Sequence, residues 1–185
     1  MNDLQMQAPQ GNFEIHPAGP CMAVCRDIWS EEIDNPKAGQ VNQWGKVEKP
    51  KVRYIHFEFL TDEPIEINGQ MLPRFVKRRL NHGWGEKSAC RAFVSAWNPA
   101  LGKDDNANLS SLVGAGAYLN IIHETKGDKT YANIATIVPP PKGATIPLIP
   151  KDFVRHAVRE QQQPAQGGSL TSGLGKPGDV EDIDF

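Results

Sequence analysis

The chain has 185 residues, of which 39% are hydrophobic and 23% charged, with a formal net charge of −2. This is enough chain for one domain with its own core and hardly for two. No apolar run approaches the ~20 residues that span a bilayer, the N-terminus lacks the layout of a signal peptide, and Cys21, Cys25 and Cys90 are too few for a disulfide scaffold. The composition therefore points to a cytoplasmic protein with reduced thiols and no membrane contact.

The small net charge conceals a division. Residues 1–159 hold 19 Lys and Arg against 17 acids, while residues 160–185 hold Lys176 against five acids. Within the first part, residues 74–91 carry six bases (Arg74, Lys77, Arg78, Arg79, Lys87, Arg91) and only Glu86 in opposition. A concentrated basic stretch and a detached acidic end say more about partners than the overall balance does.

In chain order, the first 15 residues read as a loose terminus. Cys21–Trp29 is the first expected strand, and Glu31–Pro50 reads as a polar loop around Trp44. In Lys51–Phe59, Ile55, Phe57 and Phe59 alternate with Tyr54, His56 and Glu58, the period of a half-buried strand. An Asn68–Gly69 turn signal leads to a basic third strand, Arg74–Leu80. The period then changes: Ala89, Ala92, Phe93, Ala96 and Trp97 fall on one helical face, and Asn98–Pro99 ends that helix. Leu109–Val113 leads into a fourth strand, Ala117–Thr125, and Gly127–Asp128 turns it into a fifth, Thr130–Val138, which Pro139–Pro141 stops. After Glu160 the sequence QQQPAQGGSLTSGLGKPGDVEDIDF is Gln/Gly/Ser/Pro-rich, and residues 160–185 read as a disordered tail.

Three strands, a helix and a hairpin is the order of a five-stranded OB-type Greek-key barrel with its helix between strands 3 and 4; an SH3-like barrel or an open α+β sheet yields the same string. The expected organisation is a flexible N-terminus (1–15), an OB-type domain (16–159) and an acidic tail (160–185).

Catalytic motifs are weak. Gly114 and Gly116 precede a strand, the wrong order for a dinucleotide fingerprint. Cys21 and Cys25 would sit ~13 Å apart along one strand face, too far for one metal, so no metal, cofactor or enzymatic activity is expected; a small hydrolase or nuclease is the least favoured reading. The acid pairs Asp104–Asp105 and Glu31–Glu32 read as solvated loop charges. The basic stretch carries more. In an OB barrel, strands 2 and 3 and the 1–2 and 4–5 loops form the binding face, which collects Lys51, Arg53, Arg74, Lys77, Arg78, Arg79, Lys87, Lys126 and Lys129, interleaved with Trp44, Tyr54, Trp84 and Tyr131. Cations along phosphates and flat rings under bases are what sequence-independent single-strand binding requires. The competing reading is a protein-interaction or virion-associated barrel whose basic face binds an acidic partner.

The terminus Asp179, Val180, Glu181, Asp182, Ile183, Asp184, Phe185 joins acids to a final aromatic, a form that a basic-rimmed pocket can capture. In this respect the chain resembles the single-stranded DNA-binding proteins of replication systems, especially those of bacteriophages, whose acidic, Phe-terminated tails recruit replication and recombination proteins. Asp184 stands where the bacterial tip carries Pro. The core from Pro20 to Gly143 is similar to small phage members in its basic strand Arg74–Arg79, its helix ending at Trp97 and its hairpin His123–Lys142. The resemblance implies sequence-independent binding of single-stranded DNA during replication or recombination, and leaves homo-oligomers open.

Overall fold

The protein is described by a computed structural model over residues 14–162; the acidic terminus Asp179–Phe185 lies outside the described residues. The described chain is mainly β. Five strands, β1 (Gly19–Asp34), β2 (Lys51–Ile67), β3 (Gln70–Asn81), β4 (Gly116–Lys126) and β5 (Lys129–Val138), form one antiparallel sheet in the order β3-β2-β1-β4-β5. The edge strands β3 and β5 approach within 8 Å between Cα atoms, so the sheet is curled.

β1 is the hub. Its first residues pair with β4 (Gly19 with Ile121, Val24 with Gly116), and Ala23 onward pairs with β2, ending with Asp34 against Lys51. The register sets the ends of the molecule. β2 and β4 both run past the start of β1, so the β2–β3 and β4–β5 hairpin tips lie at that end. The β1–β2 connection lies at the other. Asn68 and Gly69 close the β2–β3 hairpin at φ 53° and 77°, the left-handed pair that a two-residue turn between twisted strands requires. Pro64 faces Pro73 across this arm; neither has an N–H to exchange, so the pair suits a non-hydrogen-bonded position.

Two helices follow the sequence's caps. α1 (Ala89–Trp97) starts at Ser88, whose side chain accepts from the Arg91 N–H, and α2 (Pro99–Lys103) starts at Asn98, whose side chain accepts from the Leu101 N–H. Proline therefore ends one helix and occupies the first turn of the next. The inner face of the sheet packs on α1: Ala23, Cys25, Phe57, Phe59, Val76, Leu119, Ile121 and Ile134 meet Cys90, Val94 and Trp97. Trp97 sets its ring edge-on to Phe59 at 5.4 Å and donates its indole N–H to the Gly116 carbonyl at 2.7 Å.

Two features depart from the sequence reading. The loop expected at Glu31–Pro50 begins later: β1 continues to Asp34, so Glu31 and Glu32 are strand residues, paired with His56 (2.9 Å) and with Lys51 and Arg53 (3.6 and 3.4 Å). And a helix continues past residue 159, the expected end of the domain. Residues 139–155 return as a strap across the outer face, and α3 (His156–Gln162) carries the chain through residues 160–162, which the sequence places in the tail. The Cδ1 of Ile146 lies 2.7 Å from where a Cβ on Gly116 would stand, so the strap packs closely over β4. No helix among the described residues is long and apolar enough to cross a membrane.

Candidate nucleic-acid interface

The outer face is set by one irregularity. Along β1, Cys21, Ala23 and Cys25 point into the core, and strict alternation would send Asp27 and Trp29 after them. Between Cys25 and Asp27 the register shifts, so that Arg26 and Asp27 together face Glu58 of β2. Such a bulge re-aims side chains. Here it keeps a carboxylate out of hydrocarbon and delivers Arg26, Asp27, Trp29 and Glu31 to the outer side, beside Tyr54, His56 and Glu58 of β2 and Phe75, Lys77 and Arg79 of β3.

Two acids on this face are buried beneath their partners. Glu58 is 1% exposed and receives Arg26 Nε at 2.6 Å and Lys77 Nζ at 2.9 Å. Asp27, also 1% exposed, accepts from Arg155 Nε at 3.0 Å, from the Ile28 N–H at 2.9 Å and from the His156 N–H. Cations and rings lie over them. Arg26 is held between Phe75 (4.4 Å) and Phe153 (4.6 Å), Lys77 lies over Trp29 and Phe75 (5.3 and 5.5 Å), and Arg79 covers Tyr54 (4.6 Å). Trp29 is stacked on both sides, by His56 at 4.9 Å and His156 at 4.5 Å, with planes within 7°. His56 has its pKa lowered, first by burial and then by Arg79 and Lys77, against the opposing pull of Glu31.

The β1–β2 connection forms a finger at one end of this face. Val41 bridges Val47, and the Asn42 side chain accepts from the N–H groups of Trp44 and Lys46, both at 3.0 Å. That turn holds Trp44 at the tip, 74% exposed. At its base an open cavity of about 550 Å³ is lined by Lys46, Lys49, Lys51 and Arg53 with Glu32 and Glu48. At the opposite end, Lys126 and Lys129 pair across the β4–β5 tip and Tyr131 stands half-exposed on β5.

The expected site residues thus divide. Tyr54, Lys77 and Arg79 gather on the outer face, with Trp44 at one end and Lys126, Lys129 and Tyr131 at the other. Lys51 and Arg53 share the parity of Ile55 and Phe57, lie on the opposite side of β2 and line the cavity. Lys87 is exposed in the turn before α1. Three more residues stand apart from the face. Arg74 is buried, its guanidinium donating to the carbonyl of Ile15 and pairing with Glu14, so it anchors the chain ahead of β1. Arg78 faces inward opposite Phe57, half-buried. Trp84 packs against the core cluster and donates its indole N–H to the Asp104 carbonyl at 2.7 Å, so its ring is structural.

Sequence reasoning missed Arg26, Trp29, His56, Phe153, Arg155 and His156. The bulge hid the first two, because nothing in CMAVCRDIW marks where alternation breaks. Phe153, Arg155 and His156 follow the proline run in a stretch to which periodicity assigns no strand or helix. The cysteines are buried and free, with burial pushing the Cys21 and Cys25 thiols up to about 12 and Cys90 to about 11. Among the described residues no three His, Cys, Asp or Glu side chains come together as a metal site. A scan against protein-family models finds no match, and a search of curated proteins finds none either.

Proposed function

We propose that this chain is a non-enzymatic, sequence-independent single-stranded DNA-binding protein acting in replication or recombination, phage replication included. Its OB-type barrel would bind through the outer face of β1–β2–β3, and its acidic terminus would recruit partner proteins. The β1–β2–β3 meander, the helix between β3 and β4, the β1–β4 pairing and the approach of β3 to β5 are what an OB barrel would show. The observation that carries the reading is the interleaving on the outer face. Arg26, Lys77 and Arg79 lie against Phe75, Trp29 and Tyr54 at 4.4–5.5 Å, while Glu58 and Asp27 are buried beneath them.

A strand laid along this face meets cations for its phosphates, and Phe75 at 48% exposure and Trp44 at the finger tip offer planar surface to its bases. Duplex DNA keeps its bases stacked inside and gains only the charge term. The test is anisotropy of labelled oligothymidine at two salt concentrations, with duplex DNA and polyglutamate as competitors. Single-strand preference with a steep salt dependence supports the reading. Equal competition by duplex refutes it, and selective competition by polyglutamate favours an acidic protein partner instead.

A further inference from the structure

The strap meets the proposed DNA face at its most charged point, which makes it either a lid or a wall. The chemistry of Asp27 decides between them. This carboxylate is enclosed, and its cation is Arg155 of the strap, reinforced by the His156 N–H. Lifting the strap would leave a buried carboxylate without its cation, the costly half of a broken pair. Single-stranded DNA is itself an anion and brings nothing to replace Arg155. Lifting would also strip His156 from Trp29 and Phe153 from Arg26. A ligand that gains by displacing the strap would have to be cationic.

We infer that Phe153–Arg159 is a fixed wall of the nucleic-acid groove, and that Arg155 and Arg159 contact the phosphates running beside it; the inference rests on the single-strand-binding reading above. Arg155 binds Asp27 through Nε, which leaves its terminal nitrogens to turn outward from a side chain 42% exposed. Arg159 is exposed and lies over Phe153 at 5.9 Å, on the ring that also carries Arg26. Arg159, Arg26 and Lys77 therefore follow one another along Phe153 and Phe75. His156 occupies the second face of Trp29, which turns that indole into support for the wall and sends bases to Phe75 and Trp44.

The experiment uses the full chain with oligothymidine. Arg159→Gln removes an exposed cation whose ring contact is peripheral, so the thermal transition stays put. The log–log salt slope becomes shallower by about 0.7, one phosphate contact on a single strand. Hydrogen exchange at the His156 amide, measured with and without oligothymidine, remains equally slow. An unchanged slope in Arg159→Gln overturns the inference while leaving the DNA-binding reading intact. Loss of His156 protection on adding DNA does the same, by showing a lid. Failure of the unaltered chain to bind oligothymidine overturns both.

Discussion

Trp44 and His56 show how differently two residues of one surface are held. Trp44 has its backbone fixed by Asn42 while its ring stands 74% in solvent, so Trp44→Ala removes no packing. Calorimetry should find its thermal transition unchanged, and oligothymidine binding should weaken by about 1–3 kcal/mol if the ring holds a base. His56 is enclosed between Trp29 and the Glu31 carboxylate, and its pKa lies below the ordinary 6.5. Between the lowered folded value and 6.5 the unfolded chain binds more protons, so stability rises with pH across that window. The contribution is fully present above 6.5 and is lost as pH falls through the folded value. Denaturant midpoints measured downward from neutral pH should fall less in His56→Gln than in the unaltered chain.

At the scale of elements, two close approaches are decisive. A Cβ on Gly102 of α2 would stand 2.6 Å from the Ser95 Cα of α1, a backbone contact that no rotamer relieves. Gly102→Ala should therefore cost about 1–3 kcal/mol, the usual range for overpacking. Gly85→Ala, with open space around it, is the control, and urea midpoints compare the two. The strap is held to β1 by Arg155 and Asp27. Arg155→Met leaves the buried carboxylate with backbone donors alone. Its cost should be about 2–3 kcal/mol, at the low end for a broken buried pair because Arg155 itself is partly solvated. The same variant should speed hydrogen exchange at His156.

For the whole molecule the governing quantity is charge and where it is exposed. The outer face buries two of its acids and leaves Lys77 and Arg79 exposed, whereas Asp179–Phe185 carries four acids on a separate stretch of chain. Deleting Asp179–Phe185 should leave the thermal transition unchanged and tighten oligothymidine binding modestly at low salt. The gain should vanish near 0.1 M, where the Debye length is about 10 Å. Weaker binding after the deletion would place the terminus inside the DNA site. Truncation before Phe153, by contrast, should lower the transition temperature, because it exposes Asp27 and the Trp29 stack.

What the sequence determined by itself is whatever follows from local periodicity and punctuation. The helix Ala89–Trp97 forms, but it turns Cys90, Val94 and Trp97 inward and leaves Ala89, Ala92 and Ala96 exposed. The alternation in Lys51–Phe59, the Asn68–Gly69 turn and the final hairpin stand where the pattern places them. These are properties of neighbouring residues, and a short window contains them. What only the tertiary structure decided depends on pairings between distant residues. The bulge at Arg26 is visible only against β2, and it moves Trp29 from the core side, where parity puts it, to the outer face. Arg74 reads as an exposed cation until the chain at Glu14 and Ile15 folds over it. Arg155 lies in a stretch with no strand or helix signal, and 128 residues separate it from the Asp27 carboxylate it neutralises. No local pattern encodes a partner that far along the chain, because folding alone brings the two charges together.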